Sequence, residues 1–260
     1  MTRSIFSFLL LVLQTIAVPS ALAQAHDEWS FLLSKYVEEG EDGINRVDYA
    51  AFKRNDHDRL ELNQYIQKLI ESDVYTNGSK DEKFVAWVNL YNALTVNIVV
   101  ENYPVKSIRD IGGNFVFKGP WKKKLVEIDG KKLSLDDIEH RILRKKWDEP
   151  RVHYAVNCAS IGCPNLQPKA WEVETLESDL KKAAIEFITH PRGVEVLPDG
   201  RLRISKIYRW FKKDFGGSQV GVVMHLMKNA PADLASNLTA ETMIKSYRYD
   251  WSLNDIGSKK

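Results

Sequence analysis

The chain has 260 residues, with 37 Lys and Arg against 35 Asp and Glu, and 44% of its residues are hydrophobic. A chain of this length can bury a core of ordinary size without disulfides, and two cysteines are too few for a disulfide scaffold. The near-balance of positive and negative charge does not predict nucleic-acid binding.

The first 23 residues are typical of a secretory signal peptide. An early arginine precedes an apolar run over residues 5–18, and Ala21-Leu22-Ala23 supplies a small-x-small cleavage pattern. The apolar run is short for a membrane span, and no charged stop-transfer segment follows it. We therefore predict cleavage near Ala23, before Gln24. The mature protein is then exported, periplasmic or extracellular, with no stable membrane insertion; the alternative is an uncleaved anchor. Such a compartment is oxidising.

Residues 24–260 show no internal repeat, low-complexity run or linker, so they are predicted to form a single domain. Apolar residues at helical spacing predict helices, and apolar runs bounded by Asp-Gly turns predict strands. The predicted helices include residues 59–71, 81–102, 134–143, 176–188, 205–215 and 218–229, and the strands include 124–128, 194–197 and 201–205. Helices dominate over a small, mainly antiparallel sheet, which predicts a helix-rich α+β fold.

The segment 81–102 is apolar on nearly every side, which predicts a long, buried central helix that Tyr103-Pro104 ends. Asn89 and Asn92 lie three residues apart and therefore on one face of it. A buried amide without a partner is costly. Either both amides hold neighbouring loop backbone, or one of them orients a catalytic group or donates to an oxyanion.

The helix that begins at Ser134 carries a second buried polar candidate. Ser134 and Asp137 form a variant of the capping box. Glu139 falls within the apolar stripe of this helix, where a carboxylate needs a partner. Either Glu139 forms an ion pair with an Arg or Lys, or it points into a functional site. His140 points away from the stripe and is predicted to be solvated.

Both cysteines lie in residues 151–164, Arg-Val-His-Tyr-Ala-Val-Asn-Cys-Ala-Ser-Ile-Gly-Cys-Pro. Residues 152–158 are apolar on both faces and predict an interior strand, and residues 159–164 predict a tight turn. A thiol at the point where a buried strand becomes a loop is a candidate nucleophile. The Cys158-Cys163 spacing also suits a disulfide in an exported protein, and two plain thiols are a third alternative.

Cys158 as a nucleophile needs a nearby base or a positive environment. His153 is the obvious candidate, but five residues of strand span about 16 Å and place the two side chains on opposite faces. The pair can meet only if the chain bends between them, and Cys163 can approach only if the loop folds back. The backbone N–H groups of Ala159 and Ser160 are candidate oxyanion donors. His153 and the two cysteines match no standard zinc spacing, and we predict no metal and no cofactor.

Five motifs considered together carry a family resemblance. They are residues 87–93, the helix over 134–143 with Glu139, residues 153–164, residues 207–215, and residues 249–254. The combination, from about residue 82 to residue 254, resembles the domain-of-unknown-function 547 family, here as an exported bacterial member. The resemblance implies a shared fold and no established activity. In its parts the chain is also similar to papain-like and transglutaminase-like cysteine enzymes, although here the histidine precedes the cysteine.

Two functional hypotheses follow from these candidates. The first is an exported thiol-dependent hydrolase or acyl transferase acting on amide or peptide-like substrates. Cys158 is its nucleophile, His153 its base, and Glu139 or Asn89 its orienting residue. The second is a non-catalytic binding module in which a Cys158-Cys163 disulfide stiffens a loop beside a ligand groove. A small-molecule or peptide-like ligand suits both hypotheses.

Overall fold

The computed structural model describes residues 21–112 and 119–258. Residues 1–20, which carry most of the predicted signal peptide, lie outside the described ranges. The α-helices are α1 Ala21–Tyr36, α2 Tyr49–Arg54, α3 Asp56–Glu71, α4 Val74–Asn77, α5 Lys80–Asn102, α6 Arg144–Lys146, α7 Val152–Ala155, α8 Leu176–Thr189, α9 Ile207–Trp210, α10 Gln219–Asn229 and α11 Ala232–Ala235. A π-helical segment, Asp137–Leu143, precedes α6. The strands are β1 Val37–Glu39, β2 Asn45–Val47, β3 Val126–Ile128, β4 Lys131–Leu133, β5 Val194–Val196, β6 Leu202–Ser205 and β7 Ile244–Arg248.

Helix α5 is the buried centre of the molecule, as predicted. A capping box starts it: the Glu82 N–H donates to Ser79 Oγ (3.2 Å), and the Ser79 N–H donates to Glu82 Oε2 (2.7 Å). By length and composition α5 could cross a membrane, but 89% of its most apolar window is buried inside the protein. Its apolar surface on every side is therefore explained by packing against α2, α3, α4 and the π-helical segment.

In the described part of the chain, the strands form three small sheets rather than one. The pairs β1–β2, β3–β4 and β5–β6 are antiparallel, and β7 joins β6 in parallel. The β3–β4 turn uses Asp129 (φ 51°) and Gly130 (φ 71°), which is the chemistry that the Asp-Gly pair predicts. The α+β class with small, mainly antiparallel sheets is confirmed, and the parallel β7 brings the C-terminal segment back across the body.

The predicted strand over residues 152–158 is wrong. Residues 152–155 form the helical turn α7, and Val156 leads into an extended segment. A short, continuous apolar run has the same pattern in a buried helix turn as in a buried strand, so periodicity does not separate them. The correction changes the geometry, because the objection that His153 and Cys158 lie on opposite faces of a strand no longer applies.

The capping box predicted at Ser134 is confirmed. The Asp137 N–H donates to Ser134 Oγ (3.2 Å), and the Ser134 N–H donates to Asp137 Oδ2 (2.9 Å). The following segment is π-helical, a form that proteins use sparingly and often at functional sites. It begins at Asp137, two residues before Glu139.

The part of the chain after α8 contains less helix than predicted, because the helix expected over residues 205–215 is the single turn α9. The C-terminal segment is docked on the body, as its aromatic content predicts. Leu253 and Asn254 are buried, and Asn254 Oδ1 accepts a hydrogen bond from the Tyr49 hydroxyl (2.9 Å).

Candidate active site

A cavity of about 190 Å³ contains three of the four predicted site residues. Cys158, His153 and Glu139 all line it. They come from the loop after α7, from α7 itself and from the π-helical segment. The other lining residues are Tyr91, Trp121, Asp136, His140, Val156, Cys163, Ile207, Trp210, Phe211, Tyr249 and Trp251. His140, predicted to be solvated, is 39% exposed and faces this cavity.

The loop that holds both cysteines is closed by the side chain of Asn157. Asn157 Nδ2 donates to the Pro164 carbonyl (2.7 Å), and Asn157 Oδ1 accepts from the Ala159 N–H (2.8 Å). Ala159 adopts a left-handed conformation (φ 57°), which turns the chain sharply after Cys158. The Ala159 N–H is thus engaged within the loop, so the predicted use of this group as an oxyanion donor is wrong.

Asn92 holds the start of the same loop. Its Nδ2 donates to the Ala155 carbonyl (2.9 Å), and its Oδ1 accepts from the Asn157 N–H (2.8 Å). Asn89 plays an equivalent part elsewhere: its amide pairs with both the carbonyl (2.8 Å) and the N–H (3.0 Å) of Trp171. The interpretation that both amides hold loop backbone is therefore confirmed. Asn89 does not contribute to the cavity lining described above.

The loop folds back so that the two cysteines meet. Their Sγ atoms lie 2.6 Å apart. Both cysteines are free, since a disulfide bond requires about 2.05 Å. Cys158 is half-buried and Cys163 is buried. The Cys158 N–H donates to Cys163 Sγ (3.1 Å), which supplies a fixed donor to that sulfur.

Two hydroxyl groups complete the cluster around the sulfurs. Tyr249 Oη lies 3.0 Å from Cys158 Sγ and 3.3 Å from Cys163 Sγ. Ser160 Oγ lies 3.3 Å from Cys158 Sγ and 2.8 Å from Tyr249 Oη. Each of these groups can donate a hydrogen bond to a thiolate.

The two thiols titrate as a pair. The hydrogen bond from Cys158 and the donors around Cys163 lower the pKa of Cys163, although burial opposes that shift. The hydrogen bond to Cys163, followed by burial, raises the pKa of Cys158 well above its ordinary value. The pair therefore releases its first proton at a lower pH than an ordinary thiol, and its second proton at a higher pH. The fixed Cys158 N–H donor favours placing the negative charge on Cys163.

His153 is fixed by an acid that lies 61 residues away in the sequence. Its Nε2 lies 2.7 Å from Asp214 Oδ2. The Nε2–H donates, because hydrogen bonds from His153 and Arg144 hold the pKa of Asp214 well below its usual range despite its burial. Nδ1 is then the ring nitrogen that can accept a proton. Burial lowers the pKa of His153, with Asp214 opposing that shift, so the imidazole is neutral at pH 7.

The His153–Asp214 pair has its own supports. Arg144 holds Asp214 through two bonds, Nε to Oδ2 (2.5 Å) and Nη2 to Oδ1 (2.9 Å). The ring of Phe211 stacks on His153 with centroids 4.1 Å apart, and Phe215 packs at 5.2 Å. The imidazole is thereby restrained in both position and tautomer.

Glu139 lacks the Arg or Lys partner that the ion-pair interpretation required of it. Its Oε2 accepts from the Tyr91 hydroxyl (3.2 Å), and its nearest basic group is His140 Nδ1 at 4.0 Å from Oε1. Burial raises the pKa of Glu139. Among the described residues, an ordinary ion pair is thus excluded, and a buried carboxyl group faces the cavity.

Three contributors to the site were not assigned from sequence: Asp214, Arg144 and Tyr249. Asp214 and Tyr249 lie in two of the family motifs, which was the available signal, but nothing in their spacing indicates which side chain they contact. In the described part of the chain, no group of three or more His, Cys, Asp or Glu side chains is arranged to hold a metal ion.

Fold and site together define an α+β protein with a thiol-lined cavity that also holds a histidine–carboxylate pair. Residues 75–188 match the model of the family described as "Protein of unknown function, DUF547". This part of the chain therefore belongs to the family that its motifs resemble. The match contains Glu139, His153 and both cysteines. No curated protein and no solved structure matches the chain.

Proposed function

We propose that the protein is a thiol-dependent hydrolase or acyl transferase that acts on amide or peptide-like substrates. The observation that supports this most is that Cys158, His153 and Glu139, which come from a loop, a helical turn and the π-helical segment, line one cavity. Cys158 is the nucleophile because it is the more exposed thiol of the pair. The substrate carbonyl enters from the cavity side.

Cys163 and His153 divide the proton transfers. Cys158 Sγ bonds to the carbonyl carbon while its proton passes to the Cys163 thiolate 2.6 Å away. The tetrahedral intermediate expels the amine, which takes that proton from Cys163, and a thioester remains on Cys158. Water or an acceptor amine then attacks the thioester. Its proton goes to His153 Nδ1 and from there returns to the thiol pair as Cys158 leaves.

Asp214 and Glu139 act through other groups. Asp214 orients His153 and stabilises the imidazolium that forms, a role that the sequence assigned to Glu139 or Asn89. Glu139 supplies a buried carboxyl group to the same cavity, where it accepts a hydrogen bond from the Tyr91 hydroxyl. Asn89 has no part in the mechanism because its amide is committed to Trp171.

The second candidate, a binding module stiffened by a disulfide, is supported by the contact between the two sulfurs. Oxidation of the pair would convert the nucleophile into a cross-link with little loop movement. Export to an oxidising compartment, which the composition of residues 1–23 supports, would favour that state. The two candidates therefore differ in the redox state of one pair of thiols.

A burst experiment with p-nitrophenyl acetate, a generic acyl donor, tests the enzymatic proposal. We expect reduced wild-type protein to release one equivalent of p-nitrophenol rapidly and to carry an acetyl group on Cys158 by mass spectrometry. Cys158→Ser should abolish the burst. Ser236→Ala, a change on the exposed surface, should leave it intact. No burst in reduced protein, or an equal burst in Cys158→Ser, would refute the proposal.

A further inference from the structure

One side of the cavity is a continuous wall of aromatic rings. Trp121, Trp210, Tyr249 and Trp251 all line it. Tyr249 and Trp251 have ring centroids 4.6 Å apart, Trp210 and Tyr249 4.8 Å, and Trp210 and Trp251 5.6 Å. Trp121 meets Trp251 edge to face at 5.6 Å. We call these four rings the aromatic wall.

The position of Trp121 in the aromatic wall depends on a glycine. A Cβ at Gly119 would lie 1.9 Å from the six-membered ring of Trp121, so only glycine permits this position of the indole. Gly119 also has φ 89°, which favours glycine. The wall is therefore built by the sequence on both sides, from Gly119-Pro120-Trp121 and from the C-terminal segment.

The charged groups that share the cavity with this wall are acids. Asp136 and Glu139 line the cavity, and none of the described lining residues is a Lys or Arg. Two of the lining rings contact guanidinium groups of the protein itself, which shows that their faces suit a cation: the guanidinium carbon of Arg109 lies 5.1 Å from the Trp251 ring centroid, and that of Arg144 lies 4.8 Å from the Phe211 ring centroid. Ring faces combined with carboxylates form the usual binding site for an alkylated ammonium group.

We propose that the aromatic wall, with Asp136 and Glu139, binds a methylated ammonium group of the substrate. This names the substrate class of the site and rests on the proposed function only in placing the acyl group beside the sulfurs. The cavity, about 190 Å³, is smaller than the roughly 300 Å³ at which ordinary ligand pockets begin, so it holds one end of a ligand. Tyr249 touches both sulfurs and belongs to the wall, so the ammonium end and the reacting carbonyl would be neighbours.

The lining favours a methylated ammonium group over a primary one. A primary ammonium gives up three strong hydrogen bonds to water on entering a lining made mostly of rings, and the Tyr91 hydroxyl already occupies one acceptor site of Glu139. A methylated ammonium needs only ring faces and nearby negative charge. Burial raises the pKa of Glu139, and a cation beside it would draw that group back towards the carboxylate.

Choline and its uncharged isostere 3,3-dimethylbutan-1-ol provide the test, because they differ only in the charge at one atom. Binding is measured by quenching of tryptophan fluorescence and by titration calorimetry on the reduced full-length protein. We expect choline to bind about tenfold more tightly than the isostere, and more tightly than 2-aminoethanol. Equal binding of choline and the isostere would overturn the proposal, and so would tighter binding of 2-aminoethanol.

Variants at the wall locate the binding. Trp210 is 45% exposed, so Trp210→Leu should fold and lower choline affinity several-fold while leaving the isostere nearly unchanged. Phe31→Leu, an aromatic change at a 64% exposed position of α1, is the matched control and should have no effect. Asp136→Asn should weaken choline alone. Choline binding that survives both cavity variants would overturn the proposal.

The test separates the two proposals. A p-nitrophenyl acetate burst without choline selectivity would refute the ammonium site and leave the thiol chemistry standing. Selective choline binding without a burst would refute the thiol chemistry and leave the ammonium site standing.

Discussion

His153 Nε2 lies 2.7 Å from Asp214 Oδ2, and that single hydrogen bond sets which nitrogen of the imidazole can take a proton. Because the carboxylate accepts, Nδ1 is the free base. Arg144 fixes the carboxylate in turn through its own two bonds. The hydrogen-bonded series Arg144–Asp214–His153 therefore holds a neutral imidazole in one orientation at the cavity.

Asp214→Asn should lower the rate of p-nitrophenyl acetate turnover about 100-fold or more, because the tautomer of His153 is no longer fixed. The carboxylate raises the pKa of His153, so its removal should shift the acid limb of the pH–rate profile to lower pH. The measurement is the steady-state rate between pH 4 and pH 9. Asp233→Asn, at an exposed position, is the control. An unchanged acid limb would show that Asp214 does not act on a catalytic histidine.

Glu139→Gln should stabilise the protein at alkaline pH. Burial raises the folded-state pKa of Glu139 above its ordinary value, so the folded protein loses stability as pH rises through that pKa. Glutamine carries no such penalty. Each unit by which the pKa is raised corresponds to about 1.4 kcal/mol at high pH, or about 3–5 °C in melting temperature.

Thermal unfolding at pH 4, 6 and 8 checks this prediction. The melting-temperature difference between Glu139→Gln and wild type should grow towards pH 8. Tyr91→Phe removes the hydroxyl that donates to Glu139. The melting temperature of this variant should therefore fall more steeply with rising pH than that of wild type. If the melting temperature of Glu139→Gln instead falls further below that of wild type as the pH rises, Glu139 is ionised and paired in the folded protein.

Gly162→Ala should change the reactivity of the two thiols indirectly, through the C-terminal segment. An added Cβ would lie 2.8 Å from the backbone N and O of Asp250 and 3.0 Å from Tyr249 Cδ2. The C-terminal segment must then move away, which we expect to cost about 1–3 kcal/mol and to slow thiol alkylation. Gly200→Ala is the control: its Cβ would meet open space, and its φ of 76° strains alanine, so it lowers stability without a contact to the C-terminal segment. Equal effects of the two variants on alkylation would exclude a role for the contact between loop and C-terminal segment.

Diamide should convert the two thiols into one intramolecular disulfide. The two sulfurs together lose two electrons and two protons to the azo group of the reagent, and the protein loses the mass of two hydrogen atoms. The 2.6 Å contact makes this closure local. We expect dithiothreitol to reverse both the mass change and the loss of p-nitrophenyl acetate turnover. Full turnover in the oxidised protein would contradict Cys158 as the nucleophile.

Periodicity in the sequence is sufficient to predict the elements that pack as regular units. Helix α5, α3, α10 and the β5–β6 hairpin have the expected type and nearly the expected bounds. Residues 152–158 failed because a run buried on all sides has no polar face to report its period. The same ambiguity made His153 and Cys158 seem incompatible in the sequence, although both line one cavity.

The sequence was sufficient to predict several residues of the site but not which side chains they contact. Glu139, His153 and Cys158 were identifiable as polar or reactive groups in apolar surroundings. The Asp214 pairing and the position of Tyr249 beside both sulfurs depend on how α9 and β7 return to the core, which no local pattern encodes. The role of Asn89 was ambiguous for the same reason, since its partner Trp171 lies 82 residues away.

The central claim is that Cys158 and Cys163 titrate as a pair that shares one proton. Its most direct test is the pH dependence of iodoacetamide alkylation, measured separately for each cysteine peptide in reduced wild type, Cys163→Ser and Cys158→Ser. The pair should release its first proton at a pH below that of an ordinary thiol, and the half-buried Cys158 should be the residue alkylated. In Cys163→Ser the alkylation midpoint should rise. In Cys158→Ser the buried Cys163 should react slowly at every pH. An ordinary thiol midpoint in wild type that Cys163→Ser leaves unchanged would contradict the thiol pair as the source of the nucleophile.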